Sequence, residues 1–175
     1  MIHFFKNLLS KEECKFLHDQ FFIEKKINLN VDNDYQSLGT NTYGFRPSNI
    51  FNEYMDKLKP MITSCLLDND NNIENVNTFI REYKTGSFLS KHVDRDDIGI
   101  TLSICLYSNI NKEWPLCAEI NGKDFCKNTE IGDGLLLLTG NKTVHWRDFL
   151  ECNEDEYVLQ FFVHWKIKKN KKTII

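Results

Sequence analysis

The sequence predicts a mixed α+β fold in which a helical region precedes a region built mainly of strands. Before about residue 67, apolar residues recur at helical spacing. From about residue 75 onwards, short segments alternate apolar and polar residues and end at glycine or asparagine turns, which is typical of strands. A chain of 175 residues has the length of one domain with a substantial core.

Two helices are predicted within about residues 10–67. The first begins at Ser10, because Ser10 and Glu13 have the spacing of a capping box. Its apolar residues form one stripe: Cys14, Phe16, Leu17, Phe21 and Phe22. The second begins near Pro47, which suits a first turn, and Pro60 is expected to kink or interrupt it. We expect both helices to support one outer face of a sheet.

Two segments rich in turn-forming residues are predicted to be exposed loops. Residues 32–44 contain Tyr35 and Tyr43 among turn-formers, and they form either a lid over a site or a connector without a role in recognition. Residues 109–114 form the other loop, which ends at Trp114. A shorter polar loop is expected at residues 68–72.

The strands follow one another from Phe79–Tyr83, which ends at a turn containing Gly86. Residues 100–107 alternate, so that one face is expected in the core and the other could line a polar pocket. The polar face carries Thr101, Ser103, Cys105 and Tyr107. Further strands are predicted at residues 132–138, 144–147 and 157–165.

Three residues have the chemistry of a metal site. His92 and Asp94 are two residues apart, so on an extended strand they project to the same face, and His145 follows a predicted turn at residues 139–143. Two imidazoles and one carboxylate can occupy one face of a non-haem iron and leave three positions open, as an oxidising enzyme requires. The alternative is a surface histidine beside a solvated aspartate.

Six short motifs follow one another between about residues 75 and 165: Arg81-Glu-Tyr83, Gly86, His92-Val-Asp94, Leu102–Tyr107, Gly132-Asp133 and His145-Trp-Arg147. Together they resemble the prolyl 4-hydroxylase-like branch of the 2-oxoglutarate- and Fe(II)-dependent oxygenases. The resemblance implies a double-stranded β-helix, or jelly roll, at about residues 75–165 of a single domain spanning residues 1–175.

The same resemblance implies the cofactors and their ligands. Fe(II) is expected to be held by His92, Asp94 and His145, with 2-oxoglutarate as cosubstrate, and ascorbate is allowed as an accessory reductant. An aspartate at the middle ligand position, where related halogenases carry a small residue, favours hydroxylation over halogenation. Among the other histidines, which are expected to be structural, His164 is the alternative third ligand.

The predicted anchor of 2-oxoglutarate is Arg147. Members of the family usually carry a basic residue for the far carboxylate on the last core strand, but residues 157–165 contain no Arg or Lys. Arg147 lies two residues beyond His145 and shares its face on an extended strand, and a guanidinium supplies the fork that a carboxylate needs. The alternative is a surface ion pair of Arg147 with Asp148 or Glu151.

Further expectations concern the rest of the cosubstrate pocket. The resemblance places the hydroxyl of Tyr107 on the far carboxylate of 2-oxoglutarate and Tyr83 near the metal, with Ser103 as a further contact. If Arg147 is not the anchor, Lys91 or Arg81 is the next candidate.

The resemblance implies hydroxylation of an unactivated C–H bond, with a prolyl residue of a protein or peptide as the first expected substrate. Such a peptide could dock on Tyr35, Tyr43 or Trp114. A free amino acid or a nucleobase is the alternative within this class. From other classes, a non-catalytic jelly-roll binding domain is favoured by the missing basic anchor, and a cupin-like metalloenzyme would lack 2-oxoglutarate.

The amino-acid composition limits the partners and the cellular compartment that can be expected. A net charge of −3 predicts no general affinity for nucleic acid or an anionic membrane. The basic tail, residues 166–175, is expected to be a solvated end, with RNA or membrane binding as the alternative. No apolar run approaches the length of a membrane span. The six cysteines form no Cys-x-x-Cys pair and no secretory leader is evident, so reduced thiols and a cytoplasmic location are expected. The oligomeric state is not predicted.

Overall fold

The computed structural model describes residues 2–27, 39, 41–65, 71–138 and 143–169, which form two antiparallel sheets and two helices. Helix α1 spans Lys11–Lys25 and helix α2 spans Asn49–Cys65. The ten strands are β1 (Ile2–Phe5), β2 (Thr42–Phe45), β3 (Asn71–Tyr83), β4 (Leu89–His92), β5 (Ile100–Ser108), β6 (Leu116–Ile120), β7 (Lys123–Lys127), β8 (Gly134–Leu137), β9 (His145–Arg147) and β10 (Val158–Lys169).

The two sheets interleave strands from both ends of the β-rich region. The larger sheet has the order β1-β8-β5-β10-β3-β2, and the smaller has the order β4-β9-β6-β7. Early strands therefore pair with late ones in both sheets, for example β3 with β10 and β4 with β9. This interleaving is that of a double-stranded β-helix, so the predicted fold class is confirmed.

The alternation of β10 separates the core from the site. Phe161, Val163 and Trp165 are fully buried and belong to the main core cluster, which also contains the buried residues of both helices. Their neighbours Phe162 and His164 point to the opposite side and line a cavity described below. One face of the central strand thus buries apolar area against the helices, and the other is available for chemistry.

Both helices form, with one correction. Ser10 caps α1 through the predicted capping box, and Leu17 and Phe21 are buried on its inner face. Helix α2 begins at Asn49 and continues through Pro60, so the expected interruption is wrong. Pro60 cannot donate a backbone hydrogen bond to the preceding turn. The burial of Leu58 and Ile62 on either side of it offsets the loss of that bond and stabilises the helix.

Several predicted boundaries shift. Strand β10 continues to Lys169 and pairs there with the start of β3, so the first residues of the predicted basic tail and the end of the predicted polar loop at 68–72 are strand. Residues 170–175 lie outside the described residues, as does most of the predicted loop 32–44, including Tyr35. The turn predicted at 139–143 is described only at Thr143.

Cys117 and Cys126 form a disulfide across the β6–β7 hairpin, where they are directly opposite each other. The expectation of reduced thiols is therefore wrong for this pair. The spacing of the two cysteines matches no sequence motif, and only the pairing of the two strands brings them together. The other four cysteines, Cys14, Cys65, Cys105 and Cys152, are free. Among the described residues, no helix is both long and apolar enough to cross a membrane.

Candidate active site

The fold brings the predicted triad together. His92 ends β4 and pairs in register with His145, which begins β9, while Asp94 lies two residues beyond the end of β4. Asp94 Oδ1 lies 3.8 Å from His92 Nε2 and 3.7 Å from His145 Nε2. The ligand atoms of the three side chains all lie within 4.8 Å of one another, and this group includes His145 and not His164.

Hydrogen bonds orient each member of the triad. His92 Nδ1 is 2.8 Å from the Ser90 carbonyl oxygen and His145 Nδ1 is 3.1 Å from that of Thr143. With Nδ1–H donating in both, the Nε2 lone pairs are left for a metal. Thr101 Oγ1 donates to Asp94 Oδ2 at 2.5 Å, which leaves Oδ1 directed between the two rings. This donor set fits a divalent transition metal such as Fe(II).

The protonation state of His145 also fits metal binding. Burial lowers the pKa of His145, and the nearby Asp94 carboxylate opposes that effect only in part. A neutral imidazole is the form that donates a lone pair to a metal.

A cavity of about 300 Å³ opens beside the triad between the two sheets. Besides the triad it is lined by Arg46, Asn77, Phe79, Arg81, Tyr83, Leu89, Val93, Arg95, Ile98, Thr101, Ser103, Leu116, Leu137, Phe162 and His164. The predicted residues Tyr83 and Ser103 are therefore at the cavity, whereas Tyr107 and Arg147 are not among its lining residues.

Comparison with known proteins identifies the fold. No protein-family model matches the chain, and no curated protein matches it. A prolyl-4-hydroxylase from Pseudomonas putida superposes with a TM-score of 0.68 at 15% identity, covering 94% of this chain and 92% of that one. A Trichoplax adhaerens prolyl hydroxylase, solved with a hypoxia inducible factor peptide, gives a TM-score of 0.71 at 11% identity, covering 94% of this chain and 83% of that one.

A third solved structure is HygX from Streptomyces hygroscopicus with nickel, 2-oxoglutarate and hygromycin B, at a TM-score of 0.69 and 10% identity, covering 94% of this chain and 82% of that one. The chain has the fold of the 2-oxoglutarate- and Fe(II)-dependent oxygenases. The resemblance predicted from the motifs is thus confirmed at the level of the fold.

Within this oxygenase fold, Arg147 is a buried cation beside the cavity. It is 2% exposed, so the alternative of a surface ion pair is wrong. Its Nη1 donates to the Trp114 carbonyl oxygen at 2.7 Å and its guanidinium lies 4.6 Å from the centre of the Trp114 ring. Nε and Nη2 are buried without a hydrogen-bond partner among the described residues. Burial lowers the pKa of Arg147, but a guanidinium remains charged at neutral pH.

Tyr107 lies on the other side of the larger sheet, so its predicted contact with 2-oxoglutarate is wrong. The pairing of β5 with β10 slips, because Tyr107 is opposite Leu159 whereas Cys105 is opposite Gln160. The slip turns Tyr107 towards α1, where its ring lies 4.7 Å from Tyr157 and 4.8 Å from His18. Cys105 keeps the inward alternation and is fully buried near Arg147.

Tyr83 and Ser103 lie where the sequence places them. Tyr83 is fully buried and meets Trp114 edge to face at a ring separation of 5.0 Å. Ser103 donates to Gln160 Oε1 at 3.0 Å. Their contacts with a cosubstrate remain predictions.

The aromatic residues expected to dock a peptide do not line the cavity. Trp114 is buried against Tyr83 and Arg147, and Tyr43 packs against Phe21 and Phe45 of the core. Lys91, a reserve candidate for the anchor, lies 4.0 Å from the Trp146 ring and is absent from the cavity lining.

Sequence reasoning missed part of the lining. Asn77, Phe79 and Arg81 alternate along β3 and line the cavity, and Asn77 and Phe79 are directly opposite His164 and Phe162 of β10. The period-two pattern of β10 could have indicated the inward position of Phe162 and His164, but the start of β3 was predicted as a loop. The sequence pattern placed Thr101 on the polar face, but it did not indicate that the Thr101 hydroxyl donates a hydrogen bond to Asp94.

Proposed function

We propose that the protein is an Fe(II)- and 2-oxoglutarate-dependent hydroxylase. The observation that carries this proposal is the convergence of two oriented Nε2 atoms and one carboxylate oxygen on a cavity in this fold. When bound, Fe(II) and 2-oxoglutarate supply the oxidising chemistry that hydroxylates an unactivated C–H bond. The chain holds the metal through His92, Asp94 and His145, orients the substrate and keeps the site dry.

Arg147 would hold the far carboxylate of 2-oxoglutarate. No carboxylate of a described residue lies on its guanidinium, and two of its nitrogens are buried without partners, which is an arrangement that an anion would complete. At a strand rise of about 3.3 Å per residue, Arg147 lies about 7 Å along β9 from His145. That separation suits a five-carbon dicarboxylate whose other end is at the metal.

The first expected substrate is a prolyl residue of a protein or peptide. The Pseudomonas and Trichoplax neighbours are prolyl hydroxylases, and the latter was solved with a peptide. HygX with hygromycin B shows that the fold also accommodates a small molecule, so a free amino acid or a nucleobase is the alternative.

The cofactor assignment is tested by anaerobic absorption spectroscopy. Adding Fe(II) and 2-oxoglutarate to the wild-type protein should produce a metal-to-ligand charge-transfer band, and the His145→Ala variant should show none. No band with bound iron would favour a cupin-like enzyme, and no bound iron would favour a non-catalytic domain. Either result contradicts the proposal.

The substrate is tested with iron, 2-oxoglutarate, ascorbate and a library of proline-containing peptides. A gain of one oxygen atom on proline, matched by succinate, is expected. Succinate formation with free amino acids or nucleosides alone, with every proline unmodified, would contradict the peptide assignment.

A further inference from the structure

Two directly opposed residues of the larger sheet bury polar atoms that have no hydrogen-bond partner. Asn77 of β3 is opposite His164 of β10, and both residues line the cavity. Asn77 Oδ1 and His164 Nδ1 are each buried without a partner among the described residues. A buried polar atom without a partner costs free energy, so this pair favours a ligand that supplies the missing hydrogen bonds.

The pair lies next to the triad. His164 is also opposite Thr101 of β5, the residue that donates a hydrogen bond to Asp94. Asn77, His164 and Thr101 thus form one row across three neighbouring strands, which are about 4.8 Å apart. A ligand that contacts Asn77 and His164 therefore lies within about one or two strand spacings of the residue that orients Asp94.

A β-bulge directs Asn77 into the cavity. His164 is opposite Asn77, but the next residue of β10 is opposite Asn75, so Val76 is an extra residue of β3. In an unbroken strand Asn75 and Asn77 would share a face. Instead Asn75 Nδ2 donates to Asp56 Oδ1 of α2 at 2.6 Å, whereas Asn77 lines the cavity. Bulges beside active sites often redirect a side chain in this way.

Asn77 and His164 offer one acceptor and one donor, and both are uncharged. Asn77 Nδ2 donates to the Thr78 carbonyl oxygen at 3.3 Å, which leaves Oδ1 as the acceptor. Burial lowers the pKa of His164 below its ordinary value of 6.5, and Asp94 opposes that effect only in part, so the ring is neutral at neutral pH. In the tautomer with a proton on Nδ1, His164 donates from that atom. An uncharged pair suits a neutral group better than a carboxylate or an ammonium group.

An extended peptide residue carries the complementary groups. Its N–H and C=O point to the same side, as when it exchanges both hydrogen bonds with one residue of a facing strand. Directly opposed side chains have Cβ atoms about 4.5–5.5 Å apart, so Asn77 Oδ1 and His164 Nδ1 can converge on one such residue. A proline has no N–H, so the residue that contacts this pair is a neighbour of a hydroxylated proline and not the proline itself.

The next cavity-facing pair along the same two strands is aromatic. Phe79 is directly opposite Phe162, and both line the cavity and are half-buried. They lie two residues from Asn77 and His164, or about 7 Å along the strands. A polar pair beside an apolar pair suits a peptide, because its backbone can contact the first while a side chain or a pyrrolidine ring packs on the second.

We propose that the substrate is a polypeptide and that Asn77 and His164 bind the N–H and C=O of an extended residue next to the hydroxylated one. This inference rests on the proposed function of the triad. Asn77 Oδ1 accepts from the N–H, and His164 Nδ1 donates to the carbonyl oxygen. The two residues thereby select a peptide over a free amino acid, whose ammonium and carboxylate groups are charged.

The test replaces single backbone N–H groups of a peptide. Protein loaded with Zn(II) and 2-oxoglutarate, which does not turn over, is titrated by NMR with the capped peptide acetyl-Ala-Pro-Ala-N-methylamide. Two analogues carry lactic acid in place of the alanine before or after the proline, so that an ester oxygen replaces one N–H. One analogue should bind about tenfold or more weakly than the parent, because the ester removes the donor and places a second oxygen against Asn77 Oδ1. The other should bind like the parent.

The variants assign the two hydrogen bonds. Asn77→Leu should bind the parent peptide as weakly as it binds the affected ester. His164→Phe should weaken the parent and the ester alike, because the ester keeps its carbonyl oxygen, so the preference for the amide should persist. Asn75→Leu is the matched control, since Asn75 is on the same strand but faces α2, and it should keep the wild-type affinities. The ester comparison uses the wild-type protein and is therefore decisive even if a variant does not fold.

Four outcomes would overturn the inference: no binding of the parent peptide, equal binding of the parent and both esters, an amide preference that survives in Asn77→Leu, or tighter binding of free L-proline than of the peptide. Equal binding is the result expected if a buried water alone bridges Asn77 and His164. The absorption band of the anaerobic Fe(II) and 2-oxoglutarate complex is recorded on a second portion of the same preparation. A band without an amide preference contradicts this inference alone, whereas the absence of a band contradicts the proposed function.

Discussion

Each histidine of the triad contacts the backbone carbonyl oxygen two residues before it, Ser90 for His92 and Thr143 for His145. These contacts fix the ring orientation without using the nitrogen that faces Asp94. The site is therefore preorganised by residues that do not themselves bind the metal, as is usual for metal-ligating histidines.

Removing one ligand should abolish the metal site. His145→Ala is expected to lower Fe(II) affinity by orders of magnitude and to abolish turnover, because a facial site with two ligands holds a labile divalent ion poorly. Iron stoichiometry after gel filtration measures the effect. His3→Ala, which changes an exposed histidine outside the triad, is the control. Wild-type iron content in His145→Ala would refute the assignment.

Arg147 is expected to combine a cost in stability with the proposed binding of 2-oxoglutarate. A buried charge without a counterion destabilises the ligand-free protein, so Arg147→Met should raise its free energy of unfolding by about 1–4 kcal/mol. The same variant should raise the KM for 2-oxoglutarate by orders of magnitude, as expected for the loss of about 2–5 kcal/mol of binding. Urea unfolding and steady-state kinetics measure the two effects.

Two further variants make the Arg147 test specific. Arg147→Lys should restore only part of the affinity for 2-oxoglutarate, because the fork is lost. Arg95→Met removes an exposed arginine that is paired with Asp97 and should leave the KM for 2-oxoglutarate unchanged. A destabilised Arg147→Met protein with wild-type saturation by 2-oxoglutarate would show that Arg147 is structural.

At the scale of elements, the start of α1 depends on a reciprocal pair of hydrogen bonds. Ser10 Oγ accepts from the Glu13 backbone N–H at 3.2 Å, and Glu13 Oε2 accepts from the Ser10 N–H at 2.9 Å. Lys57 of α2 also contacts the Glu13 carboxylate. The contact with Lys57, followed by that with Ser10, lowers the pKa of Glu13 below its ordinary value of 4.5.

The pKa of Glu13 is lower in the folded state than in the unfolded state. Ionised Glu13 therefore stabilises the fold at pH values above its unfolded-state pKa, and this contribution is lost as pH falls through the folded-state pKa. Ser10→Ala should lower the free energy of unfolding at neutral pH by about 0.5–2 kcal/mol. Glu13→Gln should also destabilise the protein at neutral pH, and its free energy of unfolding should fall less steeply than that of the wild type as the pH is lowered. Denaturant unfolding from neutral pH into acid measures the effects of both substitutions, with Glu12→Gln as the control. An unchanged acid profile in Glu13→Gln would contradict the prediction.

At the scale of the whole molecule, the disulfide acts mainly on the unfolded chain. Cys117 and Cys126 are nine residues apart, and closing a loop of that size should stabilise the protein by about 2–3 kcal/mol through the entropy of the unfolded ensemble. A phosphine reductant should therefore lower the urea midpoint of the wild-type protein.

The variant with both Cys117→Ser and Cys126→Ser is the control for reduction. It should be destabilised from the outset and should not respond to the reductant. Six titratable thiols in the oxidised wild-type protein, with no effect of the reductant on unfolding, would show that the disulfide is absent in solution.

The sequence by itself determined the features that depend on neighbours along the chain. The capping box requires Ser10 and Glu13 alone, and the spacing of His92 and Asp94 limits how far apart two ligands can lie. The alternation at residues 100–105 placed Thr101 and Ser103 on the polar side, because successive residues of a strand point to opposite faces. With the resemblance of the motifs, these local patterns predicted the jelly roll and the triad.

The tertiary structure decided everything that depends on pairing between distant strands. A slip between β5 and β10 turned Tyr107 away from the cavity, and a hairpin joined Cys117 to Cys126. Arg147 is a buried cation in the folded chain, where Trp114 packs over its guanidinium. Register is a property of two segments together, since a shift of one residue reverses every side chain, and neither segment alone specifies it.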